Sequence, residues 1–153
     1  MFDLYNEGST YSKYRVKEEP YGTGTLSPDG KKTLETADDA ARAVMGGSWR
    51  MPTQSEMTEL VNNCTWTWTT VNNVKGYKVT SKKSGNTNSI FLPAIGYKSG
   101  TSLKENGSTC AYWTSSLGTK NSTPYSLKGT SSSKAVEMNK YRYYGLPVRA
   151  VCK

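Results

Sequence analysis

Gly46-Gly47-Ser48-Trp49-Arg50-Met51-Pro52-Thr53 is the stretch from which the rest of the chain can be read. Two adjacent glycines tolerate positive φ and so end a helix. Thr53, with Glu56 three residues on, is a capping box that opens the next one. Upstream, Ala37, Ala40, Ala41 and Val44 fall at helical spacing, with Thr36 as the cap and Asp39 three residues later. Downstream, Met57, Leu60, Val61 and Cys64 form an i, i+3, i+4, i+7 stripe, which predicts a helix over 54–63. That stripe assigns Cys64 to the core rather than to a reactive surface.

Beyond Cys64 the apolar period changes from helical to two. Trp66 and Trp68 alternate with threonine, and Tyr77 and Val79 alternate with lysine. A short strand follows at 88–92, and Ser84-Gly85-Asn86 reads as the hairpin turn before it. Further strands are expected near 110–116, 123–128, 134–138 and 147–151, separated by Gly- and Ser-rich turns. Two helices followed by many short strands predict an α+β fold, with the helices packed on short antiparallel strands. The 153 residues fit one domain. Residues 1–32 read as an irregular segment of that domain, with a turn at Ser27-Pro28-Asp29-Gly30.

Composition narrows the chemistry. The chain has no histidine, which removes His-based dyads and triads and the usual zinc sites. Its three cysteines form no CxxC pair. One disulfide with one thiol left over is open as an arrangement, and three buried thiols is the favoured reading. Glu18-Glu19 reads as a solvated loop, and Asp38-Asp39 as the first turn of a helix. Residues 106–152 hold a single acidic residue, Glu137, too few for a calcium site. No catalytic residue, metal or cofactor is predicted. The formal charge of +8 comes from dispersed lysines, which reads as a solvated surface rather than a nucleic-acid footprint. No 18-residue apolar run marks a membrane span. Aromatic content is weighted toward Tyr (11) and Trp (4) over Phe (2), the types that combine an apolar body with a polar tip.

Several strings together resemble a known family. They are Thr33-Leu34-Glu35, Asp38-Asp39-Ala40-Ala41, the Gly46–Thr53 stretch, Asn88-Ser89-Ile90-Phe91-Leu92-Pro93-Ala94, Tyr112-Trp113-Thr114-Ser115-Ser116 and Tyr141-Arg142-Tyr143-Tyr144-Gly145-Leu146-Pro147-Val148-Arg149. The family is the Fibrobacter-succinogenes-type major paralogous domain, common in gut Bacteroidetes. The resemblance spans roughly residues 33–152. It implies a C-type-lectin-like fold of the formylglycine-generating-enzyme type, and a ligand-binding domain over 33–153. It also implies kinship with the variable proteins of diversity-generating retroelements, in which exposed residues near the C-terminus change while the scaffold holds. Two features depart from the pattern. The strand with which family members usually open has no counterpart here. Cys110 and Cys152 match no local motif of the copper-binding cysteine pair of the catalytic relatives, so the resemblance carries no enzymatic activity over.

The expected binding surface lies on about residues 106–145. Tyr112, Ser115, Asn121, Ser122, Tyr125, Ser131, Ser133, Asn139, Tyr141, Tyr143 and Tyr144 are its contact candidates. Antibody paratopes use the same chemistry: tyrosine gives large contact at small entropic cost, and Ser and Asn give adaptable hydrogen bonds. Leu117, Leu127, Ala135, Val136 and Met138 are the inward positions, Trp113 is core, and Arg149 is assigned to buried carbonyls of the last strand. The predicted partner is a protein or glycan on a target surface, at a bacterial cell surface or on a phage virion.

Overall fold

The computed structural model describes residues 30–119, 123–138, 140–142 and 144–152. It is a mixed α+β fold with two helices and small antiparallel sheets. A 3-10 turn at Thr36–Asp38 precedes α1 (Ala40–Met45), and α2 follows at Gln54–Asn63. β1 (Cys64–Val71), β2 (Val74–Ser81) and β3 (Ser89–Pro93) form one sheet in that order. β4 (Tyr97–Ser99) and β5 (Ser102–Lys104) form a hairpin. β6 (Cys110–Leu117), β7 (Pro124–Gly129) and β8 (Lys134–Glu137) form the third sheet, again in chain order.

The first helix starts later than its apolar spacing predicts, and Asp39 rather than Thr36 caps it. Asp39 Oδ1 accepts from the N–H groups of Ala41 (2.9 Å) and Arg42 (3.0 Å), while Oδ2 accepts from Met51 N–H (2.8 Å). One buried carboxylate thus satisfies the helix start and pins the segment that follows the helix. Gly46 (φ 66°) and Gly47 (φ 54°) end α1 as expected. Of the predicted stripe only Ala41 is buried, and Val44 is 85% exposed.

The second helix runs over the expected residues. Thr53 Oγ1 accepts from Glu56 N–H, and the Glu56 carboxylate returns the bond to Thr53 N–H at 2.9 Å. Arg50 grips the same carboxylate with two nitrogens, at 2.7 and 2.5 Å. That fork holds Glu56 well below the usual carboxylate range, at about 2.

β6 organises the core. Its side chains alternate between two apolar clusters, as strand geometry requires. Ala111, Trp113 and Leu117 join Leu34, Ala41, Met51 and Leu146 on one side. Cys110 and Tyr112 join Met57, Tyr77, Val79, Leu92 and Leu127 on the other. β7 pairs with one edge of β6. The other edge is closed by irregular backbone: Trp113 N–H donates to Pro147 O (3.1 Å), Ser115 N–H to Pro52 O (2.8 Å) and Leu117 N–H to Lys32 O (2.7 Å). Pro147 thus bonds the edge of β6, but residues 147–151 do not form the expected strand. Pro147 has no N–H with which to return the bond, and this segment's one bridge joins Arg50 to Val151.

The cysteines are thiols, and the reading of three buried ones is corrected: Cys110 is buried, Cys64 half-buried and Cys152 exposed. Leu117 and Leu127 point inward as expected, but Ala135 is exposed, and Val136 and Met138 are half-buried on the third sheet's edge strand and just beyond it. Among the described residues no helix is long and apolar enough to cross a membrane.

Candidate functional site

The candidate surface is assembled by a hairpin that its sequence signals only faintly. Gly96 leaves β3 at φ 65°, in a space where a Cβ would sit 1.9 Å from Lys104 O. Only glycine lets the chain pass there into β4. β4 then pairs with the tyrosine-rich segment: Lys98 N–H donates to Gly145 O (2.8 Å), and Gly145 N–H donates back to Lys98 O (3.0 Å). This bridge brings Lys140, Tyr144 and Gly145 beside β4.

The tyrosines meet there. Tyr97 of β4 lies 5.1 Å from Tyr144, and Tyr144 lies 6.0 Å from Tyr141 in an edge-on contact. Both separations suit offset or T-shaped aromatic packing. Lys140 is buried, its Nζ 3.5 Å from the Tyr97 ring centre and 6.0 Å from that of Tyr144. Glu105 balances the charge: Oε1 lies 3.6 Å from Lys140 Nζ and accepts from Tyr97 OH at 3.4 Å. Glu105 itself has φ 54°, a costly backbone for a residue with a side chain. Bonds from Ser108 and Thr109 N–H to Glu105 O hold that turn. Tyr141 stands 46% exposed above this assembly. The result is a ring-and-cation platform in which, among the described residues, Tyr141 is the tyrosine offered to solvent.

The predicted contact residues that the structure describes separate into three groups. Tyr141 is exposed and Tyr144 half-buried in the platform. Ser131 and Ser133 are exposed in the β7–β8 turn, where Thr130 N–H donates to Ser133 O at 2.8 Å, and Tyr125 is half-buried on β7. Tyr112 and Ser115 are buried and belong to the scaffold instead. Tyr112 OH donates to Pro93 O at 2.9 Å, and Ser115 bonds Pro52 O through N–H and Oγ. The reason is that both faces of β6 are covered, so period-two alternation gives neither residue an outward position. Asn121, Ser122, Asn139 and Tyr143 lie outside the described residues.

Tyr97, Glu105 and Lys140 were not among the sequence candidates. A signal for the hairpin did exist: Tyr97 and Lys104 flank Ser99-Gly100-Thr101-Ser102, a Gly-containing turn between two short alternating runs. Arg149 is also corrected. It is exposed, and the buried arginine of this region is Arg142.

The arrangement offers an exposed aromatic ring and a phenol hydroxyl for stacking and hydrogen bonding, while the Lys140 charge is taken up internally by Tyr97 and Glu105. Among the described residues no three His, Cys, Asp or Glu side chains gather to hold a metal ion. Burial pushes the Cys110 thiol up to about 11, and the thiol donates to Leu92 O at 3.2 Å. It is protonated and enclosed, the opposite of an activated nucleophile. Comparison with family models, with curated proteins and with solved structures finds no match to this chain.

Proposed function

We propose that this chain is a non-catalytic ligand-binding or display protein that takes a protein or glycan on its tyrosine-rich C-terminal surface. In this reading the scaffold is C-type-lectin-like, of the formylglycine-generating-enzyme type, and the protein is the variable protein of a diversity-generating retroelement, working at a bacterial cell surface or on a virion. The observation that carries the binding reading is Tyr141, half exposed and braced by Tyr144, with Tyr97 and Lys140 beneath. An exposed aromatic normally costs side-chain freedom when it binds; one already held by its neighbours loses less. Tyrosine rings also match the faces of sugar rings as well as apolar protein surface.

Screening the full chain against arrays of glycans and surface proteins tests this directly. For a ligand so found, Tyr141→Ala weakens binding by about tenfold or more, as expected of a central aromatic anchor. Affinity unchanged by Tyr141→Ala overturns the site. Sequencing many natural copies of the gene separates the variable protein from its alternative, a fixed surface adhesin or structural domain. Substitutions confined to adenine-containing codons for about residues 106–145 support the former, and a uniform sequence supports the latter.

A further inference from the structure

We propose that the outer edge of β1 is a self-association surface, at which two copies of this chain pair β1 to β1, antiparallel, about a two-fold axis through Thr67. The inference is independent of the ligand-binding reading.

β1 is an edge strand of its sheet, and its eight residues pair with β2 without a register shift. Among the described residues no other element pairs with it. Edge strands are commonly guarded by lysine, proline, a bulge or extreme shortness. β1 has none of these, and the run from Leu60 to Val74 contains no charged residue.

An isologous interface requires a self-complementary patch. Thr65-Trp66-Thr67-Trp68-Thr69 reads the same in both directions. Antiparallel pairing about Thr67 sets Trp66 against Trp68 of the second copy, and Thr65 against Thr69. The hydrogen-bond parity agrees. Asn72 (φ 48°) and Asn73 (φ 64°) make a two-residue turn of type I′ character, so Val71 and Val74 exchange both backbone bonds. Alternation from that pair turns the N–H and C=O groups of Thr69, Thr67 and Thr65 inward to β2, and Asn63 O continues the series by accepting from Lys82 N–H at 3.3 Å. The groups of Trp66 and Trp68 therefore face the open edge. These are the residues that the two-fold pairing would bond to one another, with Thr67 meeting Thr67 in the close, non-bonded position.

Packing and charge are compatible. Trp66 and Trp68 stand edge-on to Tyr77, at 5.2 and 5.0 Å, and are only partly buried at the rim of the second apolar cluster. Pairing would make the two rims continuous. The cation closest to the axis on the threonine face is Lys78, directly across from Thr67. The two copies of Lys78 would stand three strand spacings apart, about 14 Å, beyond the screening length at physiological salt. An edge-to-edge pair of eight-residue strands covers less than the ~1,200 Å² of a stable interface, so the dimer is weak, with a dissociation constant on the order of 100 μM.

Sedimentation of the full chain between about 5 μM and 1 mM reads this out. The weight-average mass is expected to climb from one copy toward two. Thr67→Lys, which opposes two ammonium groups at the axis, lowers association about tenfold or more, with an unchanged circular-dichroism spectrum as the folding control. Thr70→Cys places a thiol across from Cys64 of the second copy, and added oxidised glutathione then yields a covalent dimer. A mass of one copy at every concentration overturns the proposal. So does a dimer that Thr67→Lys leaves intact, and a dimer in which Thr70→Cys does not cross-link overturns the register.

Discussion

Asp39 sits where three backbone N–H groups converge, two from the start of α1 and one from Met51. A buried donor without a partner costs about 1–3 kcal/mol, and loss of a helix cap alone about 1 kcal/mol. Asp39→Ala is therefore expected to lower stability by about 2–4 kcal/mol in urea denaturation, whereas Asp39→Asn, which keeps one acceptor oxygen, costs less. Glu56 makes a different statement. Its carboxyl is held at about 2 by the Arg50 fork and by Thr53, below its ordinary 4.5. A carboxyl with a depressed folded-state pKa adds stability that is complete above the unfolded value and is lost as pH falls through the folded one. The contribution is therefore present above about pH 5 and gone near pH 2. Because the pair is about one-third exposed, screening keeps the amount small. Glu56→Gln should flatten that part of the stability–pH curve, measured as urea midpoints between pH 2 and 7.

At the scale of elements, the β4–β5 hairpin decides whether the tyrosine platform exists. Gly96 combines a positive φ with a neighbouring carbonyl at 1.9 Å from the site of a Cβ, so Gly96→Ala cannot be absorbed by a side-chain rotation. It is expected to cost about 3 kcal/mol or more and to loosen the Lys98–Gly145 bridge. Amide exchange at Lys98 and Gly145 checks this; protection equal to that of the parent chain would contradict it. The β1–β2 turn is a milder case. Asn tolerates positive φ, but the second central position of such a turn favours glycine, so Asn73→Gly should add about 0.5 kcal/mol of stability, read as a small rise in the urea midpoint.

For the whole molecule, two apolar clusters share one strand. Cys110 lies inside the second cluster at 0% exposure, while Cys152 lies at the surface. Reaction with an aromatic disulfide reagent should thus be ordered: Cys152 at once, Cys64 more slowly, and Cys110 only as fast as the protein unfolds. A rate for Cys110 close to that of Cys152 would mean that the shared core opens locally. The same sharing explains why β6 is buried at every position but Ser116. Tyr112 and Ser115 lie on covered faces of that strand, so they cannot act as contacts even though their chemistry suits the task.

Local signals carried far in this chain. The Thr53–Glu56 box, the Gly46-Gly47 stop, the α2 stripe and the strands near 89–93, 110–117, 124–129 and 134–137 depend on neighbours within a few residues, and local pattern located each. Composition and the family resemblance pointed to Tyr141, Ser131 and Ser133, which are exposed, but equally to Tyr112 and Ser115, which are buried. What pattern could not locate depends on partners far along the chain. Asp39 is the cap because Met51 also needs its carboxylate. Residues 147–151 form no strand because Pro147, which accepts from β6, has no N–H to return the bond, and Val151 pairs with Arg50 instead. Tyr97 and Glu105 reach Lys140 only after the Lys98–Gly145 bridge has closed a span of more than forty residues. Periodicity reports which face of an element is apolar, and it is silent on how many faces the assembled fold will cover.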